Sequence, residues 1–101
     1  MIRFLDFQNG CFISLTENED RLGSISVSIN YGLDVKTANV IPSKHDSLFI
    51  TSLSKRVSSM INGISIISIS IADPLKLEDV KAIIEEVMNI LKSQIDKRNK
   101  P

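Results

Sequence analysis

Isoleucine and serine fill nearly all of residues 63–72, the most apolar stretch of the chain. Side chains of a β-strand point alternately to the two faces of its sheet. Ile67, Ile69 and Ile71 therefore share one face. The opposite face is apolar at its start and small and polar at its end, with Ile64, Ile66, Ser68 and Ser70. A strand with one wet face would keep that face polar throughout, so the pattern predicts a central strand that needs cover on both faces.

Two segments flank this strand with the three- and four-residue spacing of amphipathic helices. The first covers residues 48–61, and Asn62 and Gly63 after it are typical of a helix end. Its serines Ser54 and Ser58 are expected on the polar side. The second helix begins near residues 75–77 and extends its apolar stripe through Ile95. Two such helices can cover one face of the sheet, which leaves the other face without cover.

Four candidate strands precede the first helix, at residues 2–7, 11–16, 22–31 and 35–41. The second and third are joined by about four polar residues, a spacing that predicts an antiparallel hairpin. The order β-β-β-β-α-β-α predicts one α+β domain over residues 1–101, with both helices on one face of a five- to six-stranded sheet. We expect an antiparallel sheet, or a mixed one if the first helix makes a crossover to a parallel neighbour.

Composition narrows the class of protein. Twelve basic residues balance twelve acidic ones, which argues against electrostatic binding of nucleic acid. The single cysteine, Cys11, cannot form an intrachain disulfide, and this fits a reducing compartment. No apolar run approaches the ~18 residues of a membrane span, and Met1–Phe7 does not resemble a signal peptide. We expect a cytoplasmic protein, with the nucleus left open, that binds neither nucleic acid nor membrane.

The sequence contains few residues that could act in catalysis or bind a metal or cofactor. His45, the one histidine, is followed by Asp46 and Ser47, but side chains adjacent in sequence cannot converge as a catalytic triad. Cys11 is expected on the apolar side of a strand, as a buried thiol without a nearby cation to activate it. One histidine and one cysteine are poor material for a metal site, and the four glycines form no phosphate-binding pattern. The sequence therefore predicts neither an enzyme nor a cofactor or metal site.

Several stretches carry a family likeness. Residues 21–27, R-L-G-S-I-S-V, place a glycine and a small hydroxyl ahead of an alternating strand. Residues 35–57 run from a strand through a polar turn into a helix, and residues 64–73 lead into L-E-D-V-K-A-I-I-E-E-V-M. In element order, length and pattern, residues 11–91 resemble the small proteasome assembly chaperones of the chaperone 3 type, which pair with chaperone 4.

That resemblance implies a protein that is not an enzyme. Two related chains, usually a heterodimer, would stack their sheets with the helices outside. The pair would hold an α-type subunit while the α ring of the 20S proteasome is built. Small residues on the face away from the helices would let two sheets approach, and the dimer candidates are Ser24, Ser26, Ser28, Ile64, Ile66, Ser68 and Ser70. The candidates for contact with the ring subunit lie in loops: Glu17, Glu19, Asp20, Asp34 and Lys36.

Two alternatives stay open. A scaffold or adaptor module of the roadblock or longin type is also small, α/β and dimeric, although those folds normally place a helix ahead of the hairpin. A merely solvated sheet face is the alternative to a dimer face, since antiparallel sheets often keep one side wet. Exposed Ile64 and Ile66 would instead form an apolar patch, which favours a partner.

Overall fold

Five strands and two helices make up the described part of the chain in this computed structural model, which covers residues 1–17, 19–30, 32, 34–43 and 47–99. In chain order the elements are β1 (Ile2–Phe7), β2 (Gly10–Thr16), β3 (Ser24–Asn30), β4 (Val35–Ile41), α1 (Ser47–Ile61), β5 (Ile64–Ser70) and α2 (Leu77–Asn99). The predicted α+β class and element order are confirmed.

The strands form one mixed sheet in the order β1-β2-β5-β3-β4. β1 and β2 form one antiparallel hairpin, and β3 and β4 form another. β5 lies between the hairpins, parallel to β2 and antiparallel to β3. The prediction that β2 and β3 form a hairpin is wrong, because β5 occupies the place between them. The connection from β2 to β3 therefore crosses two strand spacings, roughly 10 Å.

Both helices contribute to a single core on one face of the sheet, which we call the helix-covered face. Ile67 and Ile69 of β5 point into this core, as their alternation predicts. Cys11 is also buried there, at 3% exposure. The other core side chains are Ile13 and Leu15 from β2, Ile50, Leu53 and Val57 from α1, and Val87, Met88 and Leu91 from α2. We call the opposite side of the sheet the open face.

The turn after α1 fixes the start of β5. α1 ends at Ile61, and Asn62 takes the left-handed conformation, at φ 53°. Gly63 is required for close approach, because a Cβ there would lie 2.6 Å from the carbonyl oxygen of Asn9. Ile64 N then donates to that same oxygen at 3.0 Å. The end of α1 is thereby held against the β1–β2 turn, and β5 enters the sheet beside β2.

Candidate functional site

The serines of β3 lie on the helix-covered face. Ser26 and Ser28 have no exposed surface, and Ser24 shares their face by alternation. Ser28 Oγ lies 2.7 Å from Ser54 Oγ of α1 and 2.8 Å from Thr37 Oγ1 of β4. The prediction that Ser24, Ser26 and Ser28 belong to the face away from the helices is therefore wrong.

Buried hydroxyl groups join α1 to the sheet. Ser54 Oγ lies 3.1 Å from Ser65 Oγ, and the Ser65 hydroxyl donates to the Ser54 carbonyl at 2.8 Å. The Ser58 hydroxyl donates to the Gly63 carbonyl at 2.6 Å. Ser26 Oγ, by contrast, has no hydrogen-bond partner within the described residues. The small size of these side chains brings α1 close to β3 and β5, and the expectation that Ser54 and Ser58 face solvent is wrong.

The burial of these serines has a signal in the sequence. Residues 50, 53, 54, 57 and 58 follow the spacing of one helical face, and all five are buried. Ser54 and Ser58 therefore belong to the stripe of Ile50 and Val57, although they are polar. A helix whose covered side carries serines can accept serines from the strand beneath it, because the hydroxyls satisfy one another.

The apolar side of β3 consequently points away from the helices. Ile25, Val27 and Ile29 stand on the open face and keep part of their surface exposed. In the sheet register, Val27 lies beside Ile66, and Ile29 beside Ile64. The predicted placement of Ile64 and Ile66 on the face away from the helices is correct, and both keep exposed surface. Sequence reasoning missed the three β3 side chains, because it assigned that strand's serines to the open face.

The register arranges the open face in three rows that cross all five strands. The upper row is Phe7, Gly10, Ile64, Ile29 and Lys36, in spatial order from β1 to β4. The middle row is Leu5, Phe12, Ile66, Val27 and Ala38. The lower row is Arg3, Ser14, Ser68, Ile25 and Ile41. The middle row is wholly apolar, and Leu5 at its β1 end is 56% exposed.

The β2–β3 loop covers part of the lower row. Gly23 N donates to Ser68 Oγ at 3.0 Å, and Arg3 pairs with Asp20 at 2.6 Å. Ser68 and Ser14 are buried as a result. Ser68, an expected dimer contact, is therefore on the predicted face but lies under the chain's own loop. Ser70, two residues further along β5, lies on the same face and keeps exposed surface.

A groove of about 620 Å³ separates this loop from the β1–β2 hairpin. Its walls are mostly apolar, and its lining residues are Arg3, Phe4, Leu5, Phe12, Ser14, Asp20, Arg21 and Leu22. Leu22 is 68% exposed. The groove occupies the β1–β2 end of the lower row and joins the apolar middle row at Leu5 and Phe12.

The loop residues expected to contact a ring subunit do not come together. Glu17, Glu19 and Asp20 follow β2, whereas Asp34 follows β3 and Lys36 lies in β4. Since β2 runs parallel to β5 and β3 runs antiparallel to it, the last residues of β2 and of β3 lie at opposite ends of the strands in the sheet. Only one of the two groups can belong to any compact contact surface.

Local partners already engage several of these charges. Glu17 Oε1 accepts a hydrogen bond from Ala72 N at 2.7 Å. Lys36 Nζ lies 3.0 Å from Asp34 Oδ2. The Lys36 ammonium, through this hydrogen bond and its positive charge, holds the pKa of the Asp34 carboxyl below its ordinary value. Lys36 itself stands on the open face, at the β4 end of the upper row.

Metal-ligating side chains do not cluster in the part of the chain that the structure describes. Across residues 1–99, apart from the undescribed positions, no group of three His, Cys, Asp or Glu side chains could hold a metal ion. His45 lies outside the described residues, and Cys11 is buried in the core. Neither described helix has both the length and the apolar character needed to cross a membrane.

In comparisons with known proteins, the chain matches no family model, no curated protein and no solved structure.

Proposed function

We propose that this chain is a non-catalytic chaperone for assembly of the 20S proteasome α ring, and that it acts as a dimer paired through its open face. One observation supports the dimer: the serines of β3 face the helices, and Ile25, Val27 and Ile29 lie on the opposite side of the sheet. Both helices are committed to the core on the other side. An apolar sheet face of this kind is typical of a surface that a partner covers.

The open face is large enough for a specific dimer of modest size. Five strands at ~4.8 Å and about seven residues at ~3.3 Å span roughly 24 by 23 Å. Two such faces would bury up to about 1,100 Å², a size typical of weak or transient interfaces, since the β2–β3 loop covers part of the lower row. An interface of this size suits a chaperone that must separate from its client and partner.

The chaperone assignment is supported by the resemblance of residues 11–91 in order and pattern. The proposed partners are a sister assembly chaperone, or a second copy, and a proteasome α-type subunit, in the cytoplasm and nucleus. Either the Glu17–Asp20 end or the Asp34 end of the sheet would contact the ring subunit. A dimeric scaffold or adaptor would use the same open face, and only the identity of the client separates the two functions.

Affinity purification of the tagged chain tests the proposal, with Val27→Asp as the open-face variant and Ser52→Asp as its matched control on the exposed side of α1. We expect a sister chaperone or second copy, together with proteasome α-type subunits, to co-purify with the parent chain and with Ser52→Asp. Val27→Asp should lose them while keeping a cooperative unfolding transition. A dimer that brings no α-type subunit would support the adaptor instead, and loss of neither partner in Val27→Asp would refute pairing through the open face.

A further inference from the structure

We propose that the groove and the outer edge of β1 together form a binding site for an extended segment of a partner protein. The segment adds to the sheet as a sixth strand beside β1, with an apolar side chain in the groove and an acidic side chain against Arg21. This site does not depend on the proposed function, because β1 and the β2–β3 loop form it, whereas the proposed dimer rests on the apolar side chains of β3 and β5.

The outer edge of β1 presents main-chain groups that a further strand can bind. β1 lies at the end of the strand order, with β2 as its one strand neighbour in the described sheet. Thr16 N donates to Met1 O at 2.9 Å, and Met1 N donates to Thr16 O at 2.5 Å. In an antiparallel pair, such doubly bonded positions alternate with positions whose main-chain groups point away from the neighbouring strand. Ile2 and Phe4 therefore direct their N–H and C=O groups outward.

β1 lacks the features that protect the opposite edge of the sheet. β4 carries Lys36 and a bulge at Val40, and lysines and bulges are common means of preventing an edge strand from pairing with other chains. β1 pairs with β2 through six consecutive residues without a register shift, and it contains no proline. Its charged residues are Arg3 and Asp6, and Arg3 is neutralised by Asp20. Of the two edges, β1 is therefore the one suited to accept another strand.

The groove reaches the main chain of this edge strand. Arg3, Phe4 and Leu5 all line the groove, although successive side chains of a strand point to opposite faces. The Phe4 side chain packs against the core on the helix-covered face, so Phe4 borders the groove through its main chain. The groove and the outward-facing main-chain groups of Phe4 are thus adjacent, and one bound segment can use both.

The walls of the groove suit an apolar side chain. The volume of about 620 Å³ falls within the roughly 300–1,000 Å³ of ligand sites. Leu5, Phe12 and Leu22 form apolar walls, but Leu5 and Leu22 are 56% and 68% exposed. Small-molecule sites usually bury about 70–90% of their ligand, and so open a groove does not enclose a free molecule to that extent. It fits a side chain that a strand paired with β1 holds in place.

Charge in the groove favours an acidic segment. The charged lining residues are Arg3, Asp20 and Arg21, which together carry one net positive charge. Arg3 and Asp20 form an ion pair at 2.6 Å. Arg21 is exposed and has no ion-pair partner within the described residues. Because a guanidinium group can donate two parallel hydrogen bonds to a carboxylate, an aspartate or glutamate is the complementary residue of the segment.

Selection from a displayed library of random seven-residue peptides tests the chemistry of the site. The library is selected in parallel on the parent chain, on Arg21→Glu and on Arg56→Glu, a matched charge reversal at an exposed position of α1. We expect the parent chain and Arg56→Glu to enrich peptides that alternate apolar residues and carry an acidic one. Arg21→Glu should enrich a basic residue in its place. No enrichment, or the same acidic peptides on Arg21→Glu, would overturn the proposal.

Fluorescence anisotropy with one selected acidic peptide, labelled with fluorescein, measures the contribution of Arg21. Arg21→Glu should raise the peptide Kd roughly 3- to 10-fold, since an exposed ion pair is replaced by a like-charge contact. The Kd should stay unchanged in Arg56→Glu and in Val27→Asp. Loss of peptide binding in Val27→Asp would place the peptide on β3 and overturn the site at β1.

Amide hydrogen exchange followed by NMR tests strand addition. The N–H groups of Ile2 and Phe4 should exchange more slowly when the selected peptide is bound, because they then donate to its carbonyl groups. The N–H groups of Arg3 and Leu5, which point towards β2, serve as internal controls and should change little. Unchanged exchange at Ile2 and Phe4 in the saturated complex would overturn the addition of a sixth strand.

Discussion

Ile66 and Ile67 are neighbours in β5 that point to opposite faces, and replacing each with alanine separates the roles of those faces. Ile67 is fully buried in the core. Ile66 lies in the middle row of the open face and keeps exposed surface. We expect Ile67→Ala to lower the free energy of unfolding by about 2–5 kcal/mol, the usual cost of a large-to-small change in a core.

Ile66→Ala should act mainly on dimerisation. Full burial of an isoleucine side chain is worth about 1.5–3 kcal/mol, and at most about a third of that remains to be gained because sheet neighbours already cover most of Ile66. Both copies lose it, so the dimer should weaken by up to about 1–2 kcal/mol, or up to roughly 5- to 30-fold in Kd. Unfolding of the isolated chain should change by less than about 1 kcal/mol.

Two measurements distinguish these effects. Sedimentation equilibrium gives the dimer Kd of each protein. Urea unfolding is followed at a protein concentration well below that Kd, since dimer formation would otherwise add stability by mass action. Equal losses of stability in the two variants, with the Kd of Ile66→Ala unchanged, would show that the chain itself covers Ile66 and would remove the case for a partner.

Further substitutions test the packing around the site by urea unfolding. Ser26→Ala should be neutral or stabilising by up to about 1 kcal/mol, because the buried Ser26 hydroxyl has no partner within the described residues. Ser54→Ala should instead cost about 1 kcal/mol, because it removes the hydrogen bonds to Ser28 and Ser65. Equal changes in stability for the two variants would contradict this hydrogen-bond network. Gly23→Ala should cost more than about 2 kcal/mol, since its Cβ would lie 2.1 Å from the Ile69 carbonyl oxygen, and a neutral result would show that the loop can shift. Asp20→Asn should change stability by less than about 1 kcal/mol, as its ion pair is exposed; a larger loss would mean that this pair holds the loop in place.

The elements and most of the core follow from short-range patterns. Alternation placed Ile67 and Ile69 on the covered face, and helical spacing identified Ile50, Leu53 and Val57. The orientation of β3 could not be predicted in the same way. Polarity alone predicts that the serines of β3 face away from the helices, and the structure shows the reverse. Polarity fails there since buried serine hydroxyls can bond to one another across α1, β3 and β5.

Local sequence pattern also failed to predict which strands pair, because the pairing depends on contacts between distant segments. A polar connection of a few residues predicts a hairpin, yet the loop after Thr16 spans β5 to reach β3. β5 comes much later in the chain, and its insertion next to β2 depends on the close approach of Gly63 to Asn9. That contact joins residues more than fifty positions apart, and nothing in the loop itself encodes it.

By itself, the sequence determined the order of strands and helices and a central strand that is apolar on both faces, because these features depend on spacing within one segment. Tertiary structure decided which strands pair, which side of β3 is covered and where the β2–β3 loop creates a groove. Those outcomes depend on contacts between segments that are distant in the chain: Gly63 against Asn9 places β5 beside β2, Gly23 against Ser68 places the loop, and buried serines let α1 cover that side of β3.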